Sequence, residues 1–173
     1  MIVLIVGGFC VGKDTFADFL LDEIDKTGDY DAKKILSYTT REPREGESDT
    51  HEFCTKEDFF EFDDLVAQTK IGDNYYGARE CQFDAEDFNI YVVDSKGASD
   101  VLAYGMDSVY IVEIIRPQWL INCPKARQNR VRHYNGDYHI DCRVINDGDI
   151  NKLYREAKDC VSRLMTDWNS EDD

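Results

Sequence analysis

The chain has 173 residues, with 36 acidic and 20 basic side chains and a net charge of −16. This length is typical of one domain, and a hydrophobic content of 42% argues against intrinsic disorder. The acidic excess excludes general binding to duplex nucleic acid, which requires a basic surplus that releases counterions. Apolar runs stay well below the ~20 residues of a membrane-spanning helix, so we expect neither a nucleic-acid nor a membrane partner.

The six cysteines form no C-x-x-C pair and show no spacing typical of a zinc site. The chain begins with a short apolar run, Met1 to Val6, that lacks the basic segment of a secretion signal. Disulfides are rare in the cytosol, where thiols are kept reduced. We therefore expect a cytoplasmic protein whose cysteines are reduced and pack as small apolar side chains.

Apolar, β-branched runs predict buried strands, and apolar residues at helical spacing predict amphipathic helices. In chain order the predicted strands are residues 1–6, 33–38, 90–93, 109–115 and 144–145. The predicted helices are residues 12–24, a helix that follows the capping-box sequence at 55–58, and residues 149–168. Residues 73–77 indicate a turn between two strands. Strands that alternate with helices are typical of an α/β fold in which helices flank a parallel sheet.

The turn after the first strand carries the strongest functional signal. Residues 7–15 read GGFCVGKDT, which fits the phosphate-binding pattern G-x-x-x-x-G-K between a buried strand and an amphipathic helix. Glycines let successive backbone N–H groups point inward at a phosphate, and the helix N-terminus and Lys13 add positive charge. The candidate ATP-binding residues are Gly7, Gly8, Val11, Gly12, Lys13, Asp14 and Thr15. The alternative is a tight strand–helix turn with an exposed lysine.

The position after Lys13 departs from the pattern, which has Ser or Thr there. Asp14 occupies it, and Thr15 follows one place late. A carboxylate beside a triphosphate is repulsive unless Mg²⁺ or a basic group intervenes. We therefore predict that Asp14 and Thr15 contact the Mg²⁺ that accompanies ATP; the alternative is that Asp14 only favours the start of the helix.

Two further features have both a functional and a structural interpretation. Asp94 ends the apolar strand at 90–93, where a carboxylate faces the ligand crevice and can organise Mg²⁺ or a base amine, or can simply form a turn. Residues 114–136 contain no acid, whereas the basic residues in that segment are Arg116, Lys125, Arg127, Arg130 and Arg132. These arginines are interpreted as a group that closes over phosphates during phosphoryl transfer. The alternatives are a solvated basic face and a short RNA-binding strip.

Residues 37–47, SYTTREPREGE, resemble the nucleotide-binding loop of guanylate kinases, S-x-T-T-R-x-P-R-x-G-E. The phosphate loop before this string, and residues 74–77 and 144–147 after it, follow the order of motifs in that family. The resemblance implies an α/β P-loop NTPase fold with a parallel sheet, an inserted subdomain for the nucleoside monophosphate, and a short lid. The implied boundaries are a core of 1–35, 89–115 and 136–173, a monophosphate-binding subdomain at 36–88 and a lid at 116–135.

The same resemblance implies transfer of the γ-phosphoryl group of Mg²⁺-bound ATP to GMP or dGMP. Arg41, Arg44 and Tyr76 would bind the acceptor's phosphate, and two arginine forks separated by a proline suit that task. Ser37 and Asp94 would contact the guanine. Lys13 would bind ATP and, with Arg127 and Arg130 of the lid, would be catalytic.

The sequence departs from the family at several site positions. The tyrosine expected six residues after the Gly-Glu pair is Phe53, the hydroxyl residue expected after Tyr-Tyr-Gly is Ala78, and one acid of an expected acid-x-acid pair is Val92. The glutamate that reads the base edge is replaced by Ala67. These changes keep two alternatives open, a kinase for another (deoxy)nucleoside monophosphate and a non-catalytic guanylate-kinase-like binding module. The sequence pattern assigns no role to the three histidines.

Overall fold

The computed structural model describes residues 1–47, 50–84, 86–120 and 137–171. These residues form two sheets with helices packed around them. Within the described ranges the strands are β1 (Ile2–Gly7), β2 (Ala32–Ile35), β3 (Tyr38–Thr39), β4 (Glu52–Phe53), β5 (Leu65–Ile71), β6 (Asn74–Arg79), β7 (Phe88–Val92), β8 (Val109–Ile115) and β9 (Cys142–Ile145). The α-helices there are α1 (Lys13–Asp25), α2 (Lys56–Glu61), α3 (Ser95–Tyr104) and α4 (Ile150–Glu171).

The larger sheet has the strand order β2-β7-β1-β8-β9, and every neighbouring pair is parallel. Its central strand β1 is buried on both faces, which explains the uninterrupted apolar run at the start of the sequence. On one face the core includes Phe16 and Leu20 of α1 and Leu164 of α4. On the other face it includes Val101 of α3. The predicted α/β fold with a parallel sheet flanked by helices is confirmed.

The smaller sheet has the order β4-β3-β6-β5 and lies within residues 38–79. Its β5–β6 pair is an antiparallel hairpin, but the turn predicted at 73–77 is misplaced: the turn lies at Gly72 and Asp73, and residues 74–77 belong to β6. The capping box that precedes α2 is confirmed, since the Asp58 N–H donates to Thr55 Oγ1 at 3.0 Å and the Thr55 N–H donates to Asp58 Oδ2 at 3.3 Å. Val66 of β5 joins the core beneath α3, so the smaller sheet is packed onto the larger one.

Three further predictions need correction or fall on residues that the structure does not describe. The strand predicted at 33–38 is wrong at its end, because β2 stops at Ile35 and Tyr38 begins β3 of the other sheet, where it pairs with Glu52 and Gly77. The expectation that the cysteines are reduced is wrong for Cys10, which is disulfide-bonded. The proposed lid residues Arg127 and Arg130 fall outside the residues that the structure describes.

Among the helices that are described, none has the length and apolar character needed to cross a bilayer.

Candidate active site

A cavity of about 350 Å³ opens where the carboxyl ends of β1 and β7 meet the smaller sheet. Parallel α/β sheets bind their ligands at this edge. The lining residues that carry polar or charged side chains are Lys13, Asp14, Ser37, Arg41, Arg44, Glu47, Thr50, His51, Thr69, Tyr76, Tyr91 and Asp94. One cavity is therefore lined by both the phosphate loop (residues 7–15) and the arginine segment (residues 41–47), although the two lie far apart in the sequence.

The phosphate loop is packed so closely that two of its positions require glycine. Gly7 has a φ of +145°, and a Cβ there would lie 2.4 Å from the carbonyl oxygen of Ile114. Gly12 has a φ of +100°, and a Cβ there would lie 2.6 Å from Asn146 Nδ2. Side chains at either position would strain the backbone and clash with β8 or with Asn146. The loop thus follows a path that places the start of α1 at the cavity.

Asn146 ties the end of β9 to this loop. Its Nδ2 donates to the carbonyl oxygen of Val11 at 2.7 Å, and its Oδ1 accepts from the Gly148 N–H at 3.1 Å. Its own backbone N–H donates to the Ile115 carbonyl at 2.8 Å, and the residue is only 5% exposed. Buried amides with satisfied partners fix local geometry. The sequence pattern contained Asn146 in a motif but gave no sign of this structural contact.

Lys13 lies over the phosphate loop. Its Nζ donates to the carbonyl oxygens of Gly7 at 3.0 Å and Gly8 at 2.8 Å. Burial lowers the pKa of Lys13 from its usual value, and the negative charges of Asp14 and Asp94 act in the opposite direction. The ammonium is therefore held by two carbonyl oxygens of the loop, where it can meet an anion bound at the loop.

Glu47 holds the arginine segment together by accepting hydrogen bonds from several of its groups. The Arg41 fork donates to Glu47 through NH1 at 2.8 Å and NH2 at 2.9 Å, while the phenyl ring of Phe53 lies 5.5 Å from the guanidinium carbon. Glu47 also accepts from the Arg44 N–H at 3.1 Å and from the Thr50 hydroxyl at 2.8 Å. Chiefly because of Arg41, the pKa of Glu47 falls to about 2. Glu47 was visible in the sequence as the end of the arginine string, but nothing there marked it as the residue that shapes the loop.

The opposite wall of the cavity carries hydroxyls and a carboxylate. Asp94 Oδ1 accepts from the Gly97 N–H at 2.8 Å and from the Thr69 hydroxyl at 3.0 Å, so Asp94 both caps α3 and lines the cavity. The hydroxyls of Ser37 and Tyr91 lie 3.0 Å apart. Burial raises the pKa of Tyr91 to about 12, which keeps its phenol neutral near pH 7. The hydroxyls and the carboxylate of this wall can therefore donate hydrogen bonds to a bound polar group and accept hydrogen bonds from it.

The structure brings most of the predicted site residues together. The predicted acceptor-site residues that line the cavity are Ser37, Arg41, Arg44, Tyr76 and Asp94. Gly7, Gly8, Val11 and Gly12 form the loop beside it, whereas Thr15 is exposed and is not part of the lining. The other two predicted catalytic residues, Arg127 and Arg130, lie beyond the part of the chain that is described.

The positions that depart from the family pattern differ in where they lie relative to the cavity. Ala67 lines the cavity, whereas Ala78 is buried away from it. Phe53 is also absent from the lining, and its ring packs against Arg41. His51 lies in the cavity wall beside Tyr76, with 5.8 Å between the two ring centroids. The sequence pattern did not single out His51, because counting from the Gly-Glu pair leads to Phe53.

Carboxylates in the cavity determine what metal chemistry it suits. Across the described residues, no three or more His, Cys, Asp or Glu side chains gather as a metal site would require. Asp14 and Asp94 both line the cavity, and Asp14 Oδ1 lies 3.6 Å from Lys34 Nζ. Mg²⁺ is commonly held by one or two carboxylates, by water and by the phosphates of its nucleotide, rather than by a cage of protein groups. The donors therefore fit a Mg²⁺ ion that arrives with a nucleotide.

Comparison with solved structures identifies the fold. The chain is similar to the crystal structure of guanylate kinase from Anaplasma phagocytophilum, with a TM-score of 0.67 and 20% sequence identity over 94% of this chain and 85% of that one. No protein-family model matches the sequence, and no curated protein matches it. The resemblance carried by residues 37–47 is thus confirmed as a likeness of fold, and the chain has an α/β architecture built on a parallel sheet.

Proposed function

We propose that this chain is a nucleoside monophosphate kinase that transfers the γ-phosphoryl group of ATP to GMP or dGMP, giving ADP and the diphosphate. The observation that carries this proposal is one cavity whose lining includes Lys13 of the phosphate loop as well as Arg41 and Arg44. Phosphoryl transfer requires two anionic substrates held in line in one water-excluding site. A cavity lined by cationic side chains from two distant parts of the sequence suits that requirement.

In the proposed reaction the phosphate loop and Lys13 bind the β- and γ-phosphates of ATP. Arg41, Arg44 and Tyr76 bind and orient the acceptor's phosphate, while Glu47 holds the arginine segment in shape. The acceptor is already an anionic phosphate oxygen, so no general base is required. Lys13 then stabilises the charge that develops on the transferred group.

Mg²⁺ belongs to the proposal as the companion of ATP. Asp14, with Thr15 nearby in the sequence and Asp94 across the cavity, would hold the ion or its waters. When bound, the ion neutralises phosphate charge during transfer. The local excess of carboxylate charge beside a polyphosphate is the physical reason for expecting it.

The division of labour along the chain is also part of the proposal. Residues 1–35, 89–115 and 136–173 form the nucleotide-binding core, and residues 36–88 form the acceptor-binding subdomain. Residues 116–135 form the lid that supplies Arg127 and Arg130. The small sheet within residues 38–79 supports this assignment: Arg41 and Arg44 lie between its strands β3 and β4, Tyr76 lies in its strand β6, and all three line the cavity.

A coupled assay of ADP formation across the common ribo- and deoxyribonucleoside monophosphates tests the proposed function. Full-length protein, Mg²⁺ and ATP are used with and without a reductant, since Cys10 of the phosphate loop is disulfide-bonded. We expect GMP or dGMP to stimulate ADP formation, with Arg41→Ala weakening the acceptor's effect. Lys96→Ala is a matched control, because Lys96 is an exposed cation that does not line the cavity. No stimulation by any monophosphate contradicts the proposal.

One observation favours a second acceptor. Ala67 lines the cavity where the family resemblance predicts a base-reading glutamate, and a missing hydrogen-bonding group can change base selection by orders of magnitude. The alternative is therefore a kinase for another (deoxy)nucleoside monophosphate. A clear preference for a base other than guanine in the same panel supports it, and a clean preference for GMP or dGMP excludes it. The non-catalytic binding module remains the third possibility, and failure to bind Mg²⁺–ATP in calorimetry would favour it.

A further inference from the structure

His51 occupies the anion-binding side of the cavity without having been assigned a function. Its ring lines the cavity together with Arg41, Arg44 and Tyr76. The His51 and Tyr76 ring centroids are 5.8 Å apart, and the ring of Phe53 lies 6.0 Å away on another side. The imidazole is therefore held by aromatic neighbours at the edge of the arginine segment.

A chain of hydrogen bonds determines which ring nitrogen carries the proton. Thr50 donates its hydroxyl proton to Glu47 Oε1 at 2.8 Å, and Glu47 is ionised because its pKa is about 2. A hydroxyl has a single proton to donate, so towards His51 the Thr50 oxygen can only accept. His51 Nδ1, which lies 2.9 Å from that oxygen, must therefore be the donor. The neutral imidazole then presents an unprotonated Nε2.

The protonation of Nε2 determines whether His51 repels or binds an anion. Within the described residues, the hydrogen bond of the His51 ring is the one at Nδ1, and Nε2 has no such partner there. A phosphate dianion offers only acceptors, and a nitrogen lone pair facing it is repulsive. The contact becomes favourable when one proton lies between Nε2 and the phosphate oxygen.

We propose that His51 binds the acceptor's phosphate through Nε2–H, and that acceptor binding takes up a proton at this contact. The inference rests on the proposed function and specifies how the acceptor's anion is recognised. It makes affinity for the acceptor depend on pH in a range where the arginines do not titrate.

The charges around His51 set the range in which this coupling acts. Burial is the main reason that the pKa of His51 is lowered from its usual value, and Arg41 and Arg44 lower it further, while Glu47 and Asp14 oppose them. His51 is therefore neutral in the free protein above neutral pH. A bound dianion adds negative charge beside Nε2 and raises the pKa of the ring. Protonation and anion binding consequently favour each other.

Calorimetric titration of GMP into the full-length protein tests the proposal. The probe is replaced by the best acceptor of the monophosphate panel if another base is preferred. Titrations run in buffers of different ionisation enthalpy between about pH 7.5 and 8.5, where a free phosphate monoester with its second pKa near 6 is already a dianion. We expect uptake of up to about one proton, and a Kd that rises by up to about tenfold per pH unit.

His51→Gln keeps a side-chain amide donor but cannot titrate, so we expect both the proton uptake and the pH dependence of Kd to disappear. His139→Gln is the matched control, because the His139 side chain is 86% exposed and lies outside the cavity lining. We expect it to behave as the unmodified chain does. Unchanged proton uptake in His51→Gln would overturn the proposal.

Nuclear magnetic resonance of the unmodified chain provides a measurement that does not depend on a variant folding. The chain has three histidines, so their ring signals can be followed individually through a pH titration. We expect the pKa of one ring to rise when the acceptor binds, and a set of three unshifted pKa values would overturn the inference. If no monophosphate binds the unmodified chain, the proposed function itself fails. If acceptor binds and depends on Arg41 but not on His51, only this inference fails.

Discussion

The contact between Gly12 and Asn146 allows a quantitative test of how the phosphate loop is held. In Gly12→Ala the new Cβ would lie 2.6 Å from Asn146 Nδ2, at a backbone φ of +100°. The left-handed backbone costs about 1–2 kcal/mol for a residue with a Cβ. Displacing the amide leaves the buried Val11 carbonyl unpaired, which costs about 1–3 kcal/mol. We therefore expect the free energy of unfolding to fall by about 2–5 kcal/mol.

A double-mutant cycle separates these two contributions. Asn146→Ala alone removes the same hydrogen bond and should cost about 1–3 kcal/mol. In the double variant that bond can be lost only once, so the two effects should fall short of additivity by about 1–3 kcal/mol. Urea unfolding of the four proteins provides the measurement. Gly28→Ala is the control for backbone strain alone, since Gly28 has a φ of +70° and a Cβ there meets nothing within 4 Å. Effects that add to within about 0.5 kcal/mol would show that the two substitutions do not break the same hydrogen bond.

Three further predictions concern the charged groups of the cavity. Lys13→Met should abolish turnover while thermal unfolding shows a retained fold, and undiminished ADP formation would contradict the role of the lysine. Arg41→Ala should raise the KM for the acceptor by roughly 10- to 100-fold, as expected for losing about 1.5–3 kcal/mol of hydrogen bonding to a charged group, and an unchanged KM counts against it. Glu47→Gln should be less stable than the unmodified chain above about pH 4.5. Because the folded-state pKa of Glu47 is about 2, that difference should shrink as the pH falls from 4.5 towards 2. Urea unfolding at several pH values checks it, and a gap that stays constant on acidification would argue against the ion pair.

Local sequence patterns predicted the parts of the fold that depend on local chemistry. The β-branched run of β1, the glycine turn before Lys13 and the capping box at Thr55 each follow from side chains within a few residues of one another. The break between β2 and β3 could not be predicted in this way. Leu36 continues the apolar character of Ile35, and only the pairing of Tyr38 with Gly77 shows that the chain has entered another sheet.

The site shows the same division between local and distant information. The arginines of the string were recognisable, but Asn146 contacts Val11 across 135 residues, and no pattern of spacing reveals such a contact. Counting residues from the Gly-Glu pair also leads to a side chain that does not line the cavity. Phe53 sits at the expected count, yet it lies in β4, where it pairs with Thr39 of β3 and packs on Arg41, whereas His51 lines the cavity. The length of an irregular segment changes which side chain arrives at a given point in space.

In the proposed function one cavity binds a nucleoside triphosphate and a second phosphate-bearing nucleotide at the same time. A bisubstrate compound, in which adenosine and the acceptor nucleoside are joined by a polyphosphate of varied length, tests this most directly by calorimetry. We expect the compound with the best linker to bind roughly 100-fold or more tighter than ATP or the monophosphate alone, because the second contact becomes intramolecular. We also expect Lys13→Met and Arg41→Ala each to weaken this binding. A compound that binds no more tightly than ATP at every linker length, or that is indifferent to Arg41→Ala, would contradict the account.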